Sequence, residues 1–204
     1  MSIRQTLMQQ FKRPSGLLGR LAGVVMAQRR SNIARNQWML QLMRLNATDK
    51  VLEIGHGPGL ALAGALKTIT HGLVVGLDHS PVMHAQARQR NANAIADGRL
   101  KLVIADIQQL APLEGTFQHI FSANVVQFWK DPVTVFAHLR QSLAPGGALT
   151  TLYMPRNKGA TSADAYKMAD ELNAWLRLAG FRNLRTETCE FDGLATICVI
   201  ASLS

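Results

Sequence analysis

An α/β fold, with a mostly parallel sheet covered by helices on both faces, follows from three observations in this 204-residue chain. Apolar runs of strand length alternate five times with helical patterns, the rhythm of strands joined by helical crossovers. The first run, Val51, Leu52 and Ile54, ends in a glycine turn, Gly55-x-Gly57-x-Gly59, and a helical pattern starts at Leu60. Such a turn aims backbone N–H groups at a ligand. The chain ends in two strand-like runs around Asp192-Gly193, a two-residue hairpin signal.

Taken in order, Pro14-Ser15-Gly16 precedes a helix predicted over 15–28, in which Leu17, Leu21 and Val25 recur at helical spacing. A second helix is expected over 31–45, with Ala34, Trp38, Leu42 and Leu45 as its apolar stripe, flanked by Met39 and Met43. Arg29, Arg30, Arg35 and Arg44 on these helices must find solvent or an anionic partner. After the first strand, a helix is expected over 60–70, stopped at Gly72, then a strand over 73–77 closed by Asp78. Ser80-Pro81 is an N-cap followed by proline at the first helical position, and that helix is expected to run to Ala96. A third strand over 100–105 leads to Asp106, and a fourth over 117–123 to Asn124.

Asp131-Pro132 repeats the cap-and-proline device before a helix carrying Phe136, Leu139 and Leu143. Ala144-Pro145-Gly146-Gly147 is read as its stop, with a fifth strand over 148–154. Thr161-x-x-Asp164 approximates a capping box for a helix burying Met168, Leu172 and Trp175 and ending at Gly180. Strands over 184–191 and 194–202 form the terminal hairpin. Its register sets Thr196 opposite Cys189, so Cys189 and Cys198 are diagonal, and two reduced thiols suit a cytoplasmic protein.

Charge is unevenly placed. Residues 1–50 hold nine basic residues against Asp49 alone, so most of the +9 net charge lies there. A basic arm of this kind attracts nucleic acid, anionic lipid or an acidic substrate, or is a solvated helical face. No aromatic stripe interleaves the basic residues, so no nucleic-acid partner is expected. No apolar run approaches about 18–20 residues, so no transmembrane helix is expected. No metal-ligand cluster or paired cysteine motif is visible, and no metal is expected.

The glycine spacing argues against a dinucleotide. A G-x-G-x-x-G fingerprint would place glycine at residue 60, which is Leu60. Taken alone, the turn is also compatible with an ordinary tight strand-to-helix connection. In parallel sheets ligands sit beyond the carboxyl ends of the strands. The residues closing the first four strands, Gly55, Asp78, Asp106 and Asn124, therefore converge on one rim.

The stretches VLEIGHGPGL, VVGLDHSPVM, VIADIQQL, SANVVQFWKDP and LAPGGALTTLY, spread over residues 50–154, resemble class I S-adenosylmethionine-dependent methyltransferases. The broad group matched is the small-molecule type found in ubiquinone biosynthesis. The N-terminal FKRPSGLLGRLAGVVMA and ARNQW stretches are similar to those of small, mostly bacterial members. The resemblance implies a three-layer, Rossmann-like methyltransferase fold with a seven-stranded, mostly parallel sheet and an antiparallel C-terminal strand. It also implies one domain, a basic helical cap over residues 1–48 and a core over 49–204.

The same resemblance implies S-adenosyl-L-methionine as cofactor and a small-molecule methyl acceptor as partner. Glu53 and the backbone of Gly55, His56, Gly57 and Gly59 would hold the zwitterionic methionine end. Asp78 would accept both ribose hydroxyls, since a carboxylate offers two oxygens to a diol. His79 and Met83 would lie near the adenine or ribose. Asp106 and the Ile107 N–H would meet the adenine edge, and Asn124 would sit closest to the sulfonium. Tyr153 and Trp129 are candidates for an acceptor pocket and equally for core; His119 reads as a core histidine.

Methyl transfer is an in-line displacement, so catalysis is expected mainly from proximity and orientation. His56, His79 and Tyr153 are the candidate proton acceptors. Two further readings stand beside this one. One is a lipid or quinone methyltransferase with peripheral membrane contact through the basic N-terminal helix. The other is a non-catalytic S-adenosylmethionine-binding protein.

Overall fold

The computed structural model of the chain describes residues 30–111 and 116–203. Its elements are α1 (Arg30–Met43), β1 (Lys50–Ile54), α2 (Leu60–Ala65), β2 (Leu73–Asp78), α3 (Pro81–Arg90), α4 (Ala92–Ala96), β3 (Leu100–Ile104), β4 (Phe117–Ala123), α5 (Pro132–Gln141), β5 (Leu143–Tyr153), α6 (Ser162–Leu178), β6 (Asn183–Phe191) and β7 (Leu194–Ser202). Short 3-10 turns follow β3 and β4, at Ile107–Gln109 and Val126–Phe128. The helix expected over 15–28, and with it the proposed membrane contact, lies outside the described residues. Among the described residues no helix is long and apolar enough to cross a membrane.

The seven strands form one sheet in the order β3-β2-β1-β4-β5-β7-β6. β1 through β5 pair in parallel, and β7 runs antiparallel to both β5 and β6. This is the α/β, Rossmann-like architecture with an antiparallel C-terminal strand that the sequence predicts. Strand order reverses beside β1, because the chain adds β2 and β3 on one flank and β4 on the other. A crevice at such a switch point is where parallel sheets take their ligands.

Side-chain alternation along the strands feeds two cores. Leu52, Ile54, Ile120, Leu149 and Ile197 pack with Phe136 and Leu139 of α5 and Leu172 and Leu176 of α6. Val51, Val74, Phe121, Leu152 and Cys198 pack on the opposite face with Met39 and Met43 of α1 and Leu62 and Ala65 of α2. Burial pushes the Cys198 thiol up to about 12. Asp192 and Gly193 both adopt positive φ, and Cys189 pairs with Thr196, as the hairpin reading requires.

Four local expectations are corrected. The buried seam of α1 is Met39 and Met43, whereas Trp38, Leu42 and Leu45 are only partly buried, Trp38 leaning on Phe191 at 5.9 Å between ring centroids. α2 ends at Ala65 rather than near residue 70; the turn that follows mixes i→i−3 bonds, Lys67 N–H to Gly64 O and Thr68 N–H to Ala65 O, with helical ones, and Arg99 Nη1 donates to Leu66 O and Ile69 O just beyond the helix. The helix expected to run to Ala96 is broken at Asn91, whose side-chain amide donates to Gly59 O at 3.2 Å and to Ala87 O at 2.9 Å. The segment 144–147 does not separate helix from strand. It is a bulge inside β5, where a Cβ on Gly147 would come within 2.9 Å of Phe117 O.

Candidate functional site

The rim is assembled by the sheet itself. β2 and β4 flank β1 in register, with Ile54 opposite Leu77 and Ser122. The tips that carry Gly55, Asp78 and Asn124 are therefore neighbours. Asp106 lies just beyond β3, which pairs with the other edge of β2.

All three glycines of the first turn sit in the left-handed region, with φ of 71° at Gly55, 52° at Gly57 and 78° at Gly59. A Cβ on Gly55 would stand 2.5 Å from Val125 Cγ2, and one on Gly59 would stand 2.7 Å from Asn91 Nδ2 and 2.9 Å from Ala87 Cβ. The outer glycines thus let the turn pack against its neighbours. Gly57 differs, since a Cβ there would meet nothing within 4 Å.

The turn is pinned from several sides. The Gly55 N–H donates to Leu77 O at 2.7 Å, the Gly57 N–H to Asp78 Oδ2 at 2.8 Å, and Arg90 Nε to Pro58 O at 2.9 Å. Asp78 Oδ1 accepts from the Ser80 N–H at 2.8 Å. Ser80 in turn caps α3 by accepting from the Met83 N–H. His79 is exposed, with its Nδ1 3.8 Å from Asp78 Oδ1. Gly57, Asp78 and His79 are thereby brought together, and Met83, in the first turn of α3, is buried.

Beneath the turn lie Glu53 and His56, each only 3% exposed. Burial raises the Glu53 carboxyl well above its ordinary range, the Asp78 charge adds to that rise, and the Leu62 N–H opposes it. Glu53 Oε2 has no hydrogen-bond partner among the described residues, so this buried oxygen can accept from a ligand cation. His56 has its Nδ1 2.7 Å from Gly57 O. Burial lowers its pKa, Asp78 opposes that, and His84, whose ring centroid is 6.3 Å away, reinforces it.

Asp106 Oδ1 accepts from the Gln108 N–H at 3.0 Å, shaping the 3-10 turn in which Ile107 is buried. Tyr153 and Trp129 are both buried in the core under α5 and α6, Trp129 edge-on to Phe136 at 5.2 Å. The Tyr153 phenol is pushed up by burial and by Asp164 and Glu171 of α6. His119 lies at the other end of the sheet, with its Nε2 3.4 Å from Asp49 Oδ2.

Asn124 is held on every side. It takes a positive φ of 55°, its Nδ2 donates to Met154 O at 2.7 Å, and its Oδ1 accepts from the Met154 N–H at 3.1 Å. Arg35 of α1 also reaches it, Nη1 donating to Asn124 Oδ1 at 3.3 Å and contacting Met154 Sδ at 3.9 Å. Arg35 Nη2 donates to Asn32 Oδ1, which Arg156 Nη2 also approaches at 3.4 Å.

Sequence reasoning placed Arg35 among residues seeking solvent or an anion and did not place it in the site. A signal was there: Asn32, Arg35 and Asn36 share the helical phase of Met39 and Met43. The buried face of α1 is therefore polar in its first half and apolar in its second.

Comparison with known proteins agrees with this fold. A family profile described as a methyltransferase domain matches residues 51–147. An uncharacterized methyltransferase of Bacillus subtilis, YdaC, is 25% identical over 89% of this chain and 97% of its own length. A trans-aconitate 2-methyltransferase from an Azoarcus species is 32% identical over 76% of this chain, which spans 57% of that protein. The N-methyltransferase NodS of Bradyrhizobium japonicum, solved with S-adenosylhomocysteine, superposes with a TM-score of 0.71 at 17% identity, covering 97% of this chain and 96% of that one.

Proposed function

We propose that this chain, which belongs to the class I S-adenosylmethionine-dependent methyltransferases, transfers a methyl group to a small-molecule acceptor beside Asn124. The observation that carries the reading is the 2.8 Å bond from the Gly57 N–H to Asp78 Oδ2. It joins a glycine turn with one open face to the carboxylate at the next strand tip.

The residues present fit S-adenosylmethionine. Glu53 Oε2 is a buried oxygen with no partner among the described residues, and it suits an ammonium group. Asp78 uses one lone pair of each oxygen on backbone N–H groups and retains others for a ribose diol. Asp106 and the Ile107 backbone are placed for the adenine edge, with Met83 and His79 on the β2 side. When bound, the cofactor supplies a methyl group activated on a sulfonium.

This chain's own part is then to orient and to exclude water. Gly57 lets main chain approach the cofactor without a side chain between, while Gly55 and Gly59 let the turn pack against its own neighbours. Asn124, locked to Met154, fixes the distance between the tips of β4 and β5. His56 is enclosed and held at Gly57 O, and Tyr153 is core, so neither is given a proton-transfer role. His79 is the remaining candidate, being exposed next to Asp78.

Calorimetric titration of the purified protein with S-adenosylmethionine and S-adenosylhomocysteine tests cofactor binding. Release of S-adenosylhomocysteine from S-adenosylmethionine in the presence of candidate acceptors tests transfer. Trans-aconitate heads the panel because the Azoarcus relative is named for it. Binding without turnover on any acceptor would favour the non-catalytic reading.

A further inference from the structure

We propose a second binding site at the end of the sheet away from the glycine turn, an open cleft that takes a small ligand bearing a diphosphate group. The cleft holds about 390 Å3 and is lined by Arg177, Arg182 and Arg185, with Asn183 and Ser202 between them and Leu184 and Ile200 as its apolar part. The strands set its position. β6 opens at Asn183 opposite Ser202 of β7, and Ser202 pairs with Ala148 of β5. Asn124 instead donates its N–H to Leu152 O, near the far end of β5. A ligand in the cleft is therefore neither methyl donor nor methyl acceptor, and the proposal stands apart from the methyltransferase reading.

The arginines here are not taken up by the fold. An arginine in the last turn of a helix is often spent on the free carbonyls there. At the end of α6 the main chain does that work. The Ala179 N–H donates to Trp175 O, the Gly180 N–H to Arg177 O and the Phe181 N–H to Leu176 O. Neither Arg177 nor Arg182 makes an ion pair among the described residues. Arg185 Nη1 lies 3.3 Å from Glu187 Oε1, which engages one of its nitrogens.

A fourth guanidinium joins them through a glycine. Gly180 takes a φ of 92°, and a Cβ there would stand 3.3 Å from Arg140 Nε. Arg140 of α5 thus lies against the turn between α6 and β6. Cations gathered along a concave wall raise the local concentration of anions.

The donor set selects among anions. Each guanidinium fork matches a pair of oxygens on one phosphoryl group and keeps its charge in any protein environment. Arg177 comes from α6 and Arg182 from the turn before β6. Two forks on separate elements suit two linked phosphoryl groups, with the Asn183 amide and the Ser202 hydroxyl as neutral donors beside them.

The test uses the full chain, titrated calorimetrically with inorganic pyrophosphate and with inorganic phosphate, each with and without added potassium chloride. Pyrophosphate is expected to bind saturably, more tightly than phosphate and less tightly in added salt. Arg177→Gln and Arg182→Gln, both at exposed positions, should each weaken pyrophosphate by about tenfold or more, the worth of a charge-assisted contact. Melting temperature and S-adenosylhomocysteine affinity should stay as in the wild type. Lys167→Gln, which removes one exposed cation elsewhere on α6, should leave pyrophosphate affinity unchanged.

No saturable binding of pyrophosphate, equal affinity in the wild type and both arginine variants, or a loss as large in Lys167→Gln would overturn the proposal. Retention of the chain on phosphatidylglycerol vesicles without binding of free pyrophosphate would assign the arginines to a membrane surface and overturn it as well. None of these outcomes bears on cofactor binding, which the titration with S-adenosylhomocysteine reads separately.

Discussion

The Gly57 N–H and the Asp78 carboxylate meet at 2.8 Å across 21 residues of sequence. That bond makes the glycine turn and the β2 tip one unit. Asp78 also accepts from the Ser80 N–H, so one side chain fixes the entry to α2 and to α3 together. Asp78→Ala should leave two backbone donors without their acceptor, at about 1–3 kcal/mol each, and lower the melting temperature accordingly. Asp78→Asn keeps one acceptor oxygen for one of these donors, sets its Nδ2 against the other and loses the charge. It should remain folded and bind S-adenosylmethionine at least about tenfold more weakly, read by calorimetry.

The glycines should separate folding from binding. Gly59→Ala meets Ala87 and Asn91 at 2.9 Å and 2.7 Å in a left-handed conformation, and should unfold the turn at a cost of about 1–3 kcal/mol. Gly57→Ala has open space but keeps the conformational cost, about 1–2 kcal/mol. Its methyl group would occupy the open side of the turn, so its loss of cofactor affinity should exceed what its melting temperature predicts.

Glu53 should make the ligand-free protein less stable as pH rises. Its folded pKa is raised by burial and by Asp78, so the folded state binds the proton more tightly than the unfolded chain. The destabilisation is absent below the ordinary carboxyl pKa and grows as pH climbs through the interval up to the raised value. Glu53→Gln should therefore gain stability over the wild type at pH 8 and little at pH 4, in thermal melts without ligand. The same variant should bind S-adenosylmethionine less well, because the buried oxygen proposed to meet its ammonium is no longer ionisable.

At the acid side the sign reverses. Burial lowers the pKa of His119, with Asp49 opposing the shift. A histidine held neutral in the fold contributes stability above its unfolded pKa near 6.5, and that contribution is lost as pH falls through the lower folded value. His119→Gln should flatten part of the fall in melting temperature between pH 7 and pH 5. It should leave cofactor affinity unchanged, since His119 lies far from the glycine turn.

Much of this was legible before the structure. Asp131-Pro132, Thr161-x-x-Asp164 and Asp192-Gly193 carry local chemistry that ends or starts an element by itself, and each lies where its residues predict. What failed was governed by partners distant in sequence. Asn91 breaks a helix because it bonds Gly59 O, and Arg99, just before β3, bonds the carbonyls of Leu66 and Ile69 in the turn after α2. The bulge at Gly147 exists because β4 passes beneath it. Arg35 is the sharpest case. Its helical phase is readable from Met39 and Met43, but its target, Asn124, is known only once β4 and β5 lie side by side.

The most direct test of the whole account is calorimetric titration of the purified chain with S-adenosylhomocysteine, run beside Asp78→Asn. The account predicts saturable binding to the wild type, a rise in melting temperature that grows with ligand concentration, and a marked loss of both in the variant. No heat and no change in melting temperature in the wild type, or equal binding by both proteins, would contradict it.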